Sequence, residues 1–371
     1  MYPPGATWES PTSRAVLSPS MASSTPSTCR LRDLVLILSV ASAFAGRAVG
    51  RRHAASSFTP WDRTVPIDAA GETECEWKAM KVHGHPYKMC IRPYNDHISN
   101  VLRVKGTWED CMPLIRAWRQ LAASSSQFFV DAGANIGACT MMMAAAYGNM
   151  TLVAFEPNPS NLFYLTRSLL ANPDINRRVT LYPIGLGQEV SSFPLYVEPR
   201  NAGNSVLGAT THDAQKTATT VRVAPFDADV IHELRQPARL MKMDVQGFEV
   251  RLLNGAHKLF GAKQVGCVYF ECSADFLQGA NTTKRALLDA FARYDYVVSY
   301  KCSGCKQQHR LPWWHFYSEL FLPHWGHDYL ACTPEIHEKM GGAEPGFFGW
   351  LKPSFALDIL HEIQIWWSPP N

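Results

Sequence analysis

Short apolar runs alternate with stretches of helically spaced apolar residues from residue 128 onward. Runs of about four to eight apolar residues predict buried strands, and apolar residues three or four positions apart predict helices. Strands that alternate with helices are typical of an α/β fold with a parallel sheet. The predicted strands are 128–131, 151–155, 179–183, 240–244, 265–271, 296–300 and 328–332, and the predicted helices are 138–147, 159–171, 248–260 and 283–294.

The connection between the third and fourth predicted strands is long, at about 50 residues. It contains two strand-like pieces, at 192–197 and 219–223. We predict an ordered insertion over the carboxyl edge of the sheet, where such a segment commonly shapes a substrate pocket. The alternative is a disordered surface loop.

The rest of the chain flanks this sheet. Cys75 and Cys90 enclose a stretch that resembles a hairpin, and apolar positions over 110–121 have helical spacing. We expect this region to pack on the sheet domain. The predicted parts are a targeting and linker segment at 1–60, a lead-in region at 61–127, the sheet domain at 128–332 and a tail at 333–371 with one helix at 354–367.

The longest apolar run, 34–45, follows Arg30 and Arg32. Its length fits the core of a signal peptide, about 7–15 residues, and falls short of the roughly 20 residues that span a bilayer. We therefore predict a secretory signal peptide, which would anchor the protein in a membrane if it stayed uncleaved. The alternative is an organelle transit peptide, because the start of the chain contains many Ser and Arg residues and few acids.

Cysteines and two glycosylation sequons, at Asn149 and Asn281, favour the secretory route. Nine of the ten cysteines follow the apolar run, so at least one thiol stays free if the others pair. Cys139 is the predicted free thiol, because it lies on an apolar helix face. Cys302 and Cys305 with nearby histidines permit a zinc site, but a single C-x-x-C pair is a weak metal signature. We predict disulfides, with their pairing open, and no metal.

Charge excludes one class of function. The chain has 35 Lys and Arg residues against 32 Asp and Glu residues, a formal net charge of +3, without any basic block. Nucleic-acid binders concentrate basic residues on one face. We therefore predict no nucleic-acid partner.

The strongest local signal is the turn that follows the first strand of the sheet. Gly133 and Gly137 lie four residues apart between this strand and a helix. Glycines let the backbone turn tightly and approach a ligand, and the following helix directs free N–H groups to the same place. A glycine pair alone is weak evidence, and a plain strand–helix connector is the alternative.

An acid at the end of the second strand strengthens the ligand interpretation. Glu156 lies 25 residues after Asp131, about the spacing at which nucleotide-binding α/β folds place a ribose-binding acid. The turn lacks the three-glycine spacing of dinucleotide sites. These residues therefore predict an adenosyl ligand without phosphates.

A third group of polar residues follows the fourth and fifth strands. Asp244 and Glu271 end these strands, and Lys242 precedes Asp244 by two residues. A carboxylate at a strand tip can orient a substrate hydroxyl or accept its proton, and a lysine can pair with it. We favour a functional role for Asp244, whereas Glu249 serves equally well in a structural cluster at a helix start.

Together these stretches resemble the FkbM-type family of S-adenosylmethionine-dependent methyltransferases. The shared motifs occur in order: Val-Asp-x-Gly-Ala-Asn-x-Gly at 130–137, Phe-Glu-Pro-Asn-Pro at 155–159 and Lys-x-Asp-Val-x-Gly-x-Glu at 242–249. The resemblance covers about 98–332. It implies a class I methyltransferase, with a Rossmann-like, mostly parallel sheet and an antiparallel final strand.

The resemblance also implies the roles of individual residues toward S-adenosylmethionine. The methionine part would lie against Asp131, Gly133, Asn135 and Gly137, the ribose against Glu156 and Pro157, and the adenine near Gly185. One departure is Gln246, which stands where many relatives carry Glu. Because Gln cannot accept a proton there, we predict Asp244 as the catalytic base, Glu271 as the second candidate and Lys242 as their partner.

We therefore expect an O-methyltransferase that acts on a hydroxyl, of a sugar or glycan given the secretory address. One alternative is a catalytically inactive binding protein with this fold. The other is a methyltransferase for a different acceptor, such as an amine or a lipid-like or polyketide-like hydroxyl. The sequence leaves the acceptor, the methylated position and the oligomeric state open.

Overall fold

The computed structural model describes residues 58–121, 126–198, 201–208, 217–227, 237–300, 309–310 and 327–340. The apolar run at 34–45, the Cys302–Cys305 pair and the predicted tail helix at 354–367 lie outside the described residues. No helix in the described ranges is long and apolar enough to cross a membrane.

The lead-in region forms an antiparallel hairpin and two helices. Asp96 caps the first helix by accepting the N–H of Ser99 at 3.0 Å, and Gly106 ends it in the left-handed conformation. The elements are β1 (Glu76–Val82), β2 (His85–Ile91), α1 (His97–Lys105), a 3-10 turn (Glu109–Cys111) and α2 (Met112–Gln120). The hairpin and the second helix follow the prediction, whereas α1 was not predicted.

The sheet domain alternates strands and helices. Asn158 accepts the N–H of Ser160 at 3.0 Å, and together with Pro159 it fixes the start of one central helix. Its elements are β3 (Phe128–Ala132), α3 (Ala138–Ala146), β4 (Thr151–Phe155), α4 (Pro159–Leu170), α5 (Pro173–Asn176), β5 (Val179–Tyr182), β6 (Gly185–Leu186), β7 (Ser191–Glu198), β8 (Asn201–Leu207), β9 (Thr217–Ala224), β10 (Ala238–Met243), α6 (Glu249–Gly255), α7 (His257–Gly261), β11 (Val265–Cys272), α8 (Ala274–Gly279), α9 (Lys284–Arg293), β12 (Val297–Tyr300), β13 (His309–Arg310), β14 (His327–Cys332) and α10 (Pro334–Lys339).

The main sheet has the order β13-β12-β14-β11-β10-β3-β4-β5. The strands β5, β4, β3, β10 and β11 run parallel to one another. The late strand β14 is inserted between β11 and β12 and is antiparallel to both. This order confirms the predicted class I arrangement, with a mostly parallel sheet and an antiparallel final strand.

The long connection after β5 forms a second sheet. Its strands have the order β6-β9-β7-β8, and β8 lies against α1 of the lead-in region. Both strand-like pieces of the sequence, at 192–197 and 219–223, fall within β7 and β9. The described part of this connection is therefore an ordered insertion, as predicted.

Two clusters of buried side chains cover the two faces of the main sheet. Phe129 and Val130 are neighbours in β3 and belong to opposite clusters, because successive side chains of a strand point to opposite faces. On one face α3 and α4 pack with α2, and on the other α6 and α9 supply Leu252 and Phe291. Packing on both faces leaves the carboxyl edge of the parallel strands as the place where a ligand can enter.

The predicted helix at 248–260 is two short helices, α6 and α7, separated at Ala256. A Cβ atom on Gly255 would lie 1.9 Å from the carbonyl oxygen of Gly187. The chain thus needs glycine where this helix meets the segment after β6, and the helix ends there.

Three disulfides join described cysteines: Cys75–Cys90, Cys111–Cys139 and Cys267–Cys332. The prediction that Cys139 carries the free thiol is wrong, because the 3-10 turn of the lead-in region brings Cys111 to the first turn of α3. The free thiol among the described cysteines is the buried Cys272. Disulfides persist in oxidising environments, so the structure is consistent with an oxidising compartment.

Candidate active site

A cavity opens at the carboxyl edge of β3, β4 and β10. Six predicted site residues line it: Gly133, Asn135, Glu156, Pro157, Gly185 and Asp244. The lining also contains residues that were not predicted, namely Phe155, Asn161, Ile184, Leu186, Leu195, Ser205, Leu207, Val245 and Gln246.

The turn after β3 is held against both neighbouring strands. The N–H groups of Gly133 and Ala134 both donate to the carbonyl of Phe155 at 3.0 Å. Gly133 has a φ of +85°, and a Cβ atom on it would lie 1.9 Å from the carbonyl oxygen of Asp244. Only glycine fits between the tips of β3 and β10, and the lack of a side chain keeps this wall of the cavity open.

Glu156 is buried at the tip of β4 and accepts three N–H groups. One oxygen, Oε2, accepts the backbone N–H of Asn135 at 2.7 Å. The other, Oε1, accepts the backbone N–H of Asn158 at 2.8 Å and Nδ2 of Asn161 at 3.1 Å. Burial raises the pKa of Glu156, and these donors act against that rise. A carboxylate has about four acceptor positions, so the three donors leave one on Oε2 for a hydroxyl of a ligand.

Two predicted cofactor residues do not line the cavity. Asp131 is fully buried, accepts the hydroxyl of Thr140 at 2.6 Å and lies 3.8 Å from Nζ of Lys242. Burial raises the pKa of Asp131. Gly137 begins α3, and a Cβ atom on it would lie 2.4 Å from Cδ1 of Leu165. Both residues shape the turn from behind, and a direct contact of either with a cofactor stays a prediction.

Lys242 joins the tips of β3 and β10. Its Nζ donates to the carbonyl of Gly133 at 3.0 Å and to Oδ2 of Asp244 at 3.1 Å. Burial by itself would lower the pKa of Lys242, but the carboxylates of Asp244 and Asp131 raise it above the usual value. The ammonium group therefore stays charged and fixes one oxygen of Asp244.

Gln246 bridges the two acids predicted for catalysis. Its Nε2 donates to Oδ1 of Asp244 at 2.6 Å and to Oε2 of Glu271 at 3.3 Å. Its backbone has a φ of +53°, in the left-handed region that non-glycine residues seldom adopt. The loop after β10 thus places the amide of Gln246, an uncharged hydrogen-bond donor, between the carboxyl groups of Asp244 and Glu271. Asp244 lines the cavity and Glu271 lies behind Gln246.

Burial and neighbouring carboxylates raise the pKa values of two acids near Asp244. Burial, and then the carboxylates of Asp244 and Asp328, raise the pKa of Glu271 to about 8. Burial and Asp244 also raise the pKa of Asp110, which the lead-in region contributes. At pH 7 Glu271 is therefore mostly protonated and is suited to hold a proton rather than to accept one.

Glu249 serves the loop and not the cavity. Its Oε1 accepts the N–H groups of Val245 and Gly247, both at 3.2 Å. Burial raises the pKa of Glu249 to about 7. These bonds fit the structural role at a helix start that the sequence allowed for Glu249.

The most important residues that sequence reasoning missed are Asn161 and Asp110. Asn161 lies in the first turn of α4, where an asparagine is ordinarily interpreted as part of a helix start. Asp110 comes from the lead-in region, and its proximity to Asp244 depends on the tertiary fold. Gln246 was noticed only as a departure from the family motif, although its place between Asp244 and Gly247 was a usable signal.

Comparison with known proteins identifies the family of one domain of the chain. Residues 131–298 match the family described as Methyltransferase FkbM domain. These residues form an FkbM-type, S-adenosylmethionine-dependent methyltransferase domain. The match begins at Asp131, the second-last residue of β3, and closes within β12, so it contains the glycine turn, Glu156 and the whole Asp244 loop.

Two relatives support this assignment. Methyltransferase 1 of Beauveria bassiana is 32% identical over 150 residues, which are 34% of this chain and 57% of that protein. Methyltransferase sdnD of Sordaria araneosa is 39% identical over 83 residues, 22% of this chain and 32% of that protein. The chain thus spans about half the length of the first relative and about a third of the second.

Two solved structures are similar at low identity. The FkbM methyltransferase of Methylobacillus flagellatus is 20% identical, covers 56% of this chain and 44% of its own, and has a TM-score of 0.35. An O-methyltransferase of Thermotoga maritima is 12% identical, covers 69% of this chain and 77% of its own, and has a TM-score of 0.34. The fold assignment follows from the strand order and not from these low scores.

The cavity fits the cofactor of this family. Only a residue without a Cβ atom fits at Gly133, which lines the cavity, and Glu156 keeps one acceptor position for a ribose hydroxyl. Apolar side chains of Ile184, Leu186 and Leu195 line the part beyond Glu156, which suits an aromatic base. In the described part of the chain, no group of three or more His, Cys, Asp and Glu side chains is arranged to hold a metal ion.

Proposed function

We propose that the protein is an O-methyltransferase that uses S-adenosylmethionine to methylate a hydroxyl of a sugar or glycan in the secretory pathway. The observation that carries the proposal is a single cavity with Glu156 at the tip of β4 and Asp244 at the tip of β10. The first residue suits a ribose, and the second suits an acceptor hydroxyl. The family match supports the methyl donor, and the chemistry of the Asp244 side supports the hydroxyl acceptor.

The cofactor, when bound, supplies an electrophilic methyl group on a positively charged sulfur. We assign its binding to Gly133, Asn135, Glu156, Pro157 and Gly185, which line the cavity, with Asp131 and Gly137 behind the turn. Methyl transfer to oxygen needs little covalent help from the protein. The main tasks of the protein are to align the reacting groups and to exclude water.

Asp244 is the residue that we assign as base. Lys242 and Gln246 each donate one hydrogen bond to it, which leaves about half of its acceptor positions for the acceptor hydroxyl. These two donors also stabilise the ionised carboxylate and hold its orientation. A hydroxyl that loses its proton to Asp244 becomes a better nucleophile, and a positioned base of this kind contributes about 100-fold or more to the rate.

Glu271 is the second catalytic candidate, and we assign it a supporting role. Its raised pKa, about 8, keeps a proton on it at neutral pH, and Gln246 separates it from Asp244. A neutral Glu271 adds no second negative charge beside the base. Lys242 then neutralises Asp244 as its one hydrogen-bonded cationic partner among the described residues.

The glycan acceptor and the compartment rest on the disulfides and the sequons. The three disulfides are consistent with an oxidising compartment. The two sequon asparagines, Asn149 and Asn281, are exposed in turns, so both can accept a glycan. An apolar run at 34–45 would supply the address, as a cleaved signal or as an anchor.

Labelled methyl transfer tests the proposal. The secreted protein is incubated with tritiated S-adenosylmethionine and a mixture of released glycans, and labelled products are identified by mass spectrometry. We expect methyl ethers on sugar hydroxyls. Label on amines or on lipid-like hydroxyls would overturn the acceptor class, and binding of the cofactor with no transfer to any class would support an inactive binding protein.

A further inference from the structure

A buried arginine of the lead-in region is linked by hydrogen bonds, through one intermediate side chain, to the cofactor side of the cavity. Arg92 follows β2, outside the residues that match the family, and it is 0% exposed. Its Nη2 donates to Oδ1 of Asn161 at 2.6 Å, and Nδ2 of Asn161 donates to Glu156 at 3.1 Å. A chain of two hydrogen bonds thus leads from the lead-in region to the proposed ribose-binding acid.

The chemistry of Arg92 fixes the direction of this chain. A guanidinium group can only donate hydrogen bonds, and an ionised carboxylate can only accept them. Between the two, the amide of Asn161 has to turn its oxygen toward Arg92 and its nitrogen toward Glu156. With the opposite orientation, two donors would face each other at Arg92 and two acceptors at Glu156.

Further contacts hold the guanidinium in place. Its Nε donates to the hydroxyl of Tyr94 at 3.2 Å, and its Nη1 lies 3.6 Å from Oδ2 of Asp96. Its Cζ lies 4.9 Å above the ring of Tyr164. A buried charge is costly unless it is paired and hydrogen-bonded, so a fully buried arginine with these contacts has a fixed position.

We propose that Arg92 is a positioning residue for cofactor binding, which orients Asn161 so that its amide nitrogen holds the Glu156 carboxylate toward the ribose. The inference rests on the proposed function, because it takes Glu156 as the cofactor-binding acid. It also gives the lead-in region a role in binding, in addition to covering the sheet.

A double-mutant cycle separates this role from a general contribution to folding. The affinity for S-adenosylhomocysteine is measured by calorimetry for the wild type, Arg92→Met, Glu156→Gln and the double variant. We expect Arg92→Met to weaken binding about 10-fold when Glu156 is present and to have little effect when it is replaced, since residues in one hydrogen-bonded network are coupled. Equal losses in both backgrounds would overturn the proposal.

Arg167→Met is the matched control. Arg167 also connects α4 to the lead-in region, through Asp68 at 2.6 Å and the carbonyl of Ile67 at 2.9 Å, but it does not contact Asn161. We expect the control variant to bind with wild-type affinity. A loss as large as that of Arg92→Met would show that any weakening of the lead-in contact suffices, and it would overturn the specific role of Arg92.

Asn161→Asp provides a second variant if Arg92→Met does not fold. An aspartate can still accept from Arg92 but cannot donate to Glu156. We expect an affinity loss of about 10-fold at neutral pH, and wild-type affinity would overturn the proposal. If the folded wild type takes up no S-adenosylhomocysteine, the proposed function fails and this inference fails with it. If the wild type binds and the cycle shows no coupling, the inference fails alone.

Discussion

The two sides of the cavity differ in the exposure of their carboxylates and in the groups that hold them. On the cofactor side, Glu156 is buried and receives three N–H donors, two of them from the backbone. On the acceptor side, Asp244 is one-third exposed and is held by two side chains, Lys242 and Gln246. One side is rigid and nearly saturated with hydrogen bonds, and the other keeps free acceptor positions beside protonatable groups.

This difference separates binding from chemistry. A buried carboxylate that fixed donors hold in place, with one acceptor position left free, is suited to recognise a hydroxyl of a fixed ligand. A carboxylate with free acceptor positions, near a lysine and a protonated acid, can accept a proton from a substrate. Variants on the two sides should therefore change different quantities.

The largest effect is expected for Asp244→Asn. The variant loses the base, so we expect kcat to fall about 100-fold or more while the affinity for the cofactor is largely kept. Methyl-transfer rates and equilibrium dialysis with labelled cofactor measure the two quantities. Asp289→Asn, on the exposed side of α9, is the control, and an unchanged kcat in Asp244→Asn would remove this residue from the mechanism.

Glu156→Ala should weaken cofactor binding and keep kcat, which is the reverse of the result expected for Asp244→Asn. Loss of a charged hydrogen bond to a ribose hydroxyl costs about 1.5–3 kcal/mol, so the dissociation constant of the cofactor should rise at least about 10-fold. The rate at saturating cofactor should stay near that of the wild type. A variant with unchanged affinity and reduced kcat would mean that the two sides are not separate in function.

Gln246→Glu sharpens the description of the acceptor side. A third carboxyl group beside Asp244 and Glu271 favours proton uptake by the cluster, because like charges so close together are unfavourable. We expect kcat at pH 7 to fall about 10-fold and to recover as the pH rises, so the acid limb of the rate profile moves to higher pH. The exposed Gln188→Glu is the control, and a loss that does not depend on pH would contradict this interpretation.

The smallest effect concerns stability. The pKa of Glu249 is raised to about 7 by burial, whereas in the unfolded chain it returns to the usual range near 4.5. Between about pH 4.5 and pH 7 the folded state therefore holds a proton on Glu249 that the unfolded chain has lost. The stabilisation that this proton provides is present at low pH and is lost as the pH rises through about 7. The Tm of the wild type should fall between pH 5 and pH 8, and in Glu249→Gln this fall should be smaller by about 3 °C. Calorimetry that shows the same fall in both proteins would contradict the assignment.

The strands of the main sheet and the main site motifs could be predicted, because they depend on local patterns. Apolar runs predicted every parallel strand of the main sheet, and strand tips carry Glu156 and Asp244 in the sequence itself. The remaining features depend on contacts that are distant along the chain. Cys139 looked like a core residue because its partner Cys111 approaches only when the 3-10 turn of the lead-in region packs on α3.

Arg92 and Asn161 could not be found for the same reason. An arginine after a strand is ordinarily exposed, and nothing in the local sequence shows that Arg92 is fully buried against α4. The hydrogen bond between Arg92 and Asn161 joins residues that are 69 positions apart, so the local sequence does not show it. Tertiary packing, and not the motif, decides which side chains support the acid at β4.

We expect this cavity to bind an adenosyl cofactor through Glu156. The most direct test of this expectation is a calorimetric titration of S-adenosylhomocysteine into the folded, disulfide-bonded wild type and into Glu156→Ala. We predict saturable binding of about one ligand per chain, with a dissociation constant in the range of roughly 1 μM to 1 mM and a weaker one in the variant. Absence of binding to the folded wild type, or equal affinity in both proteins, would contradict the account.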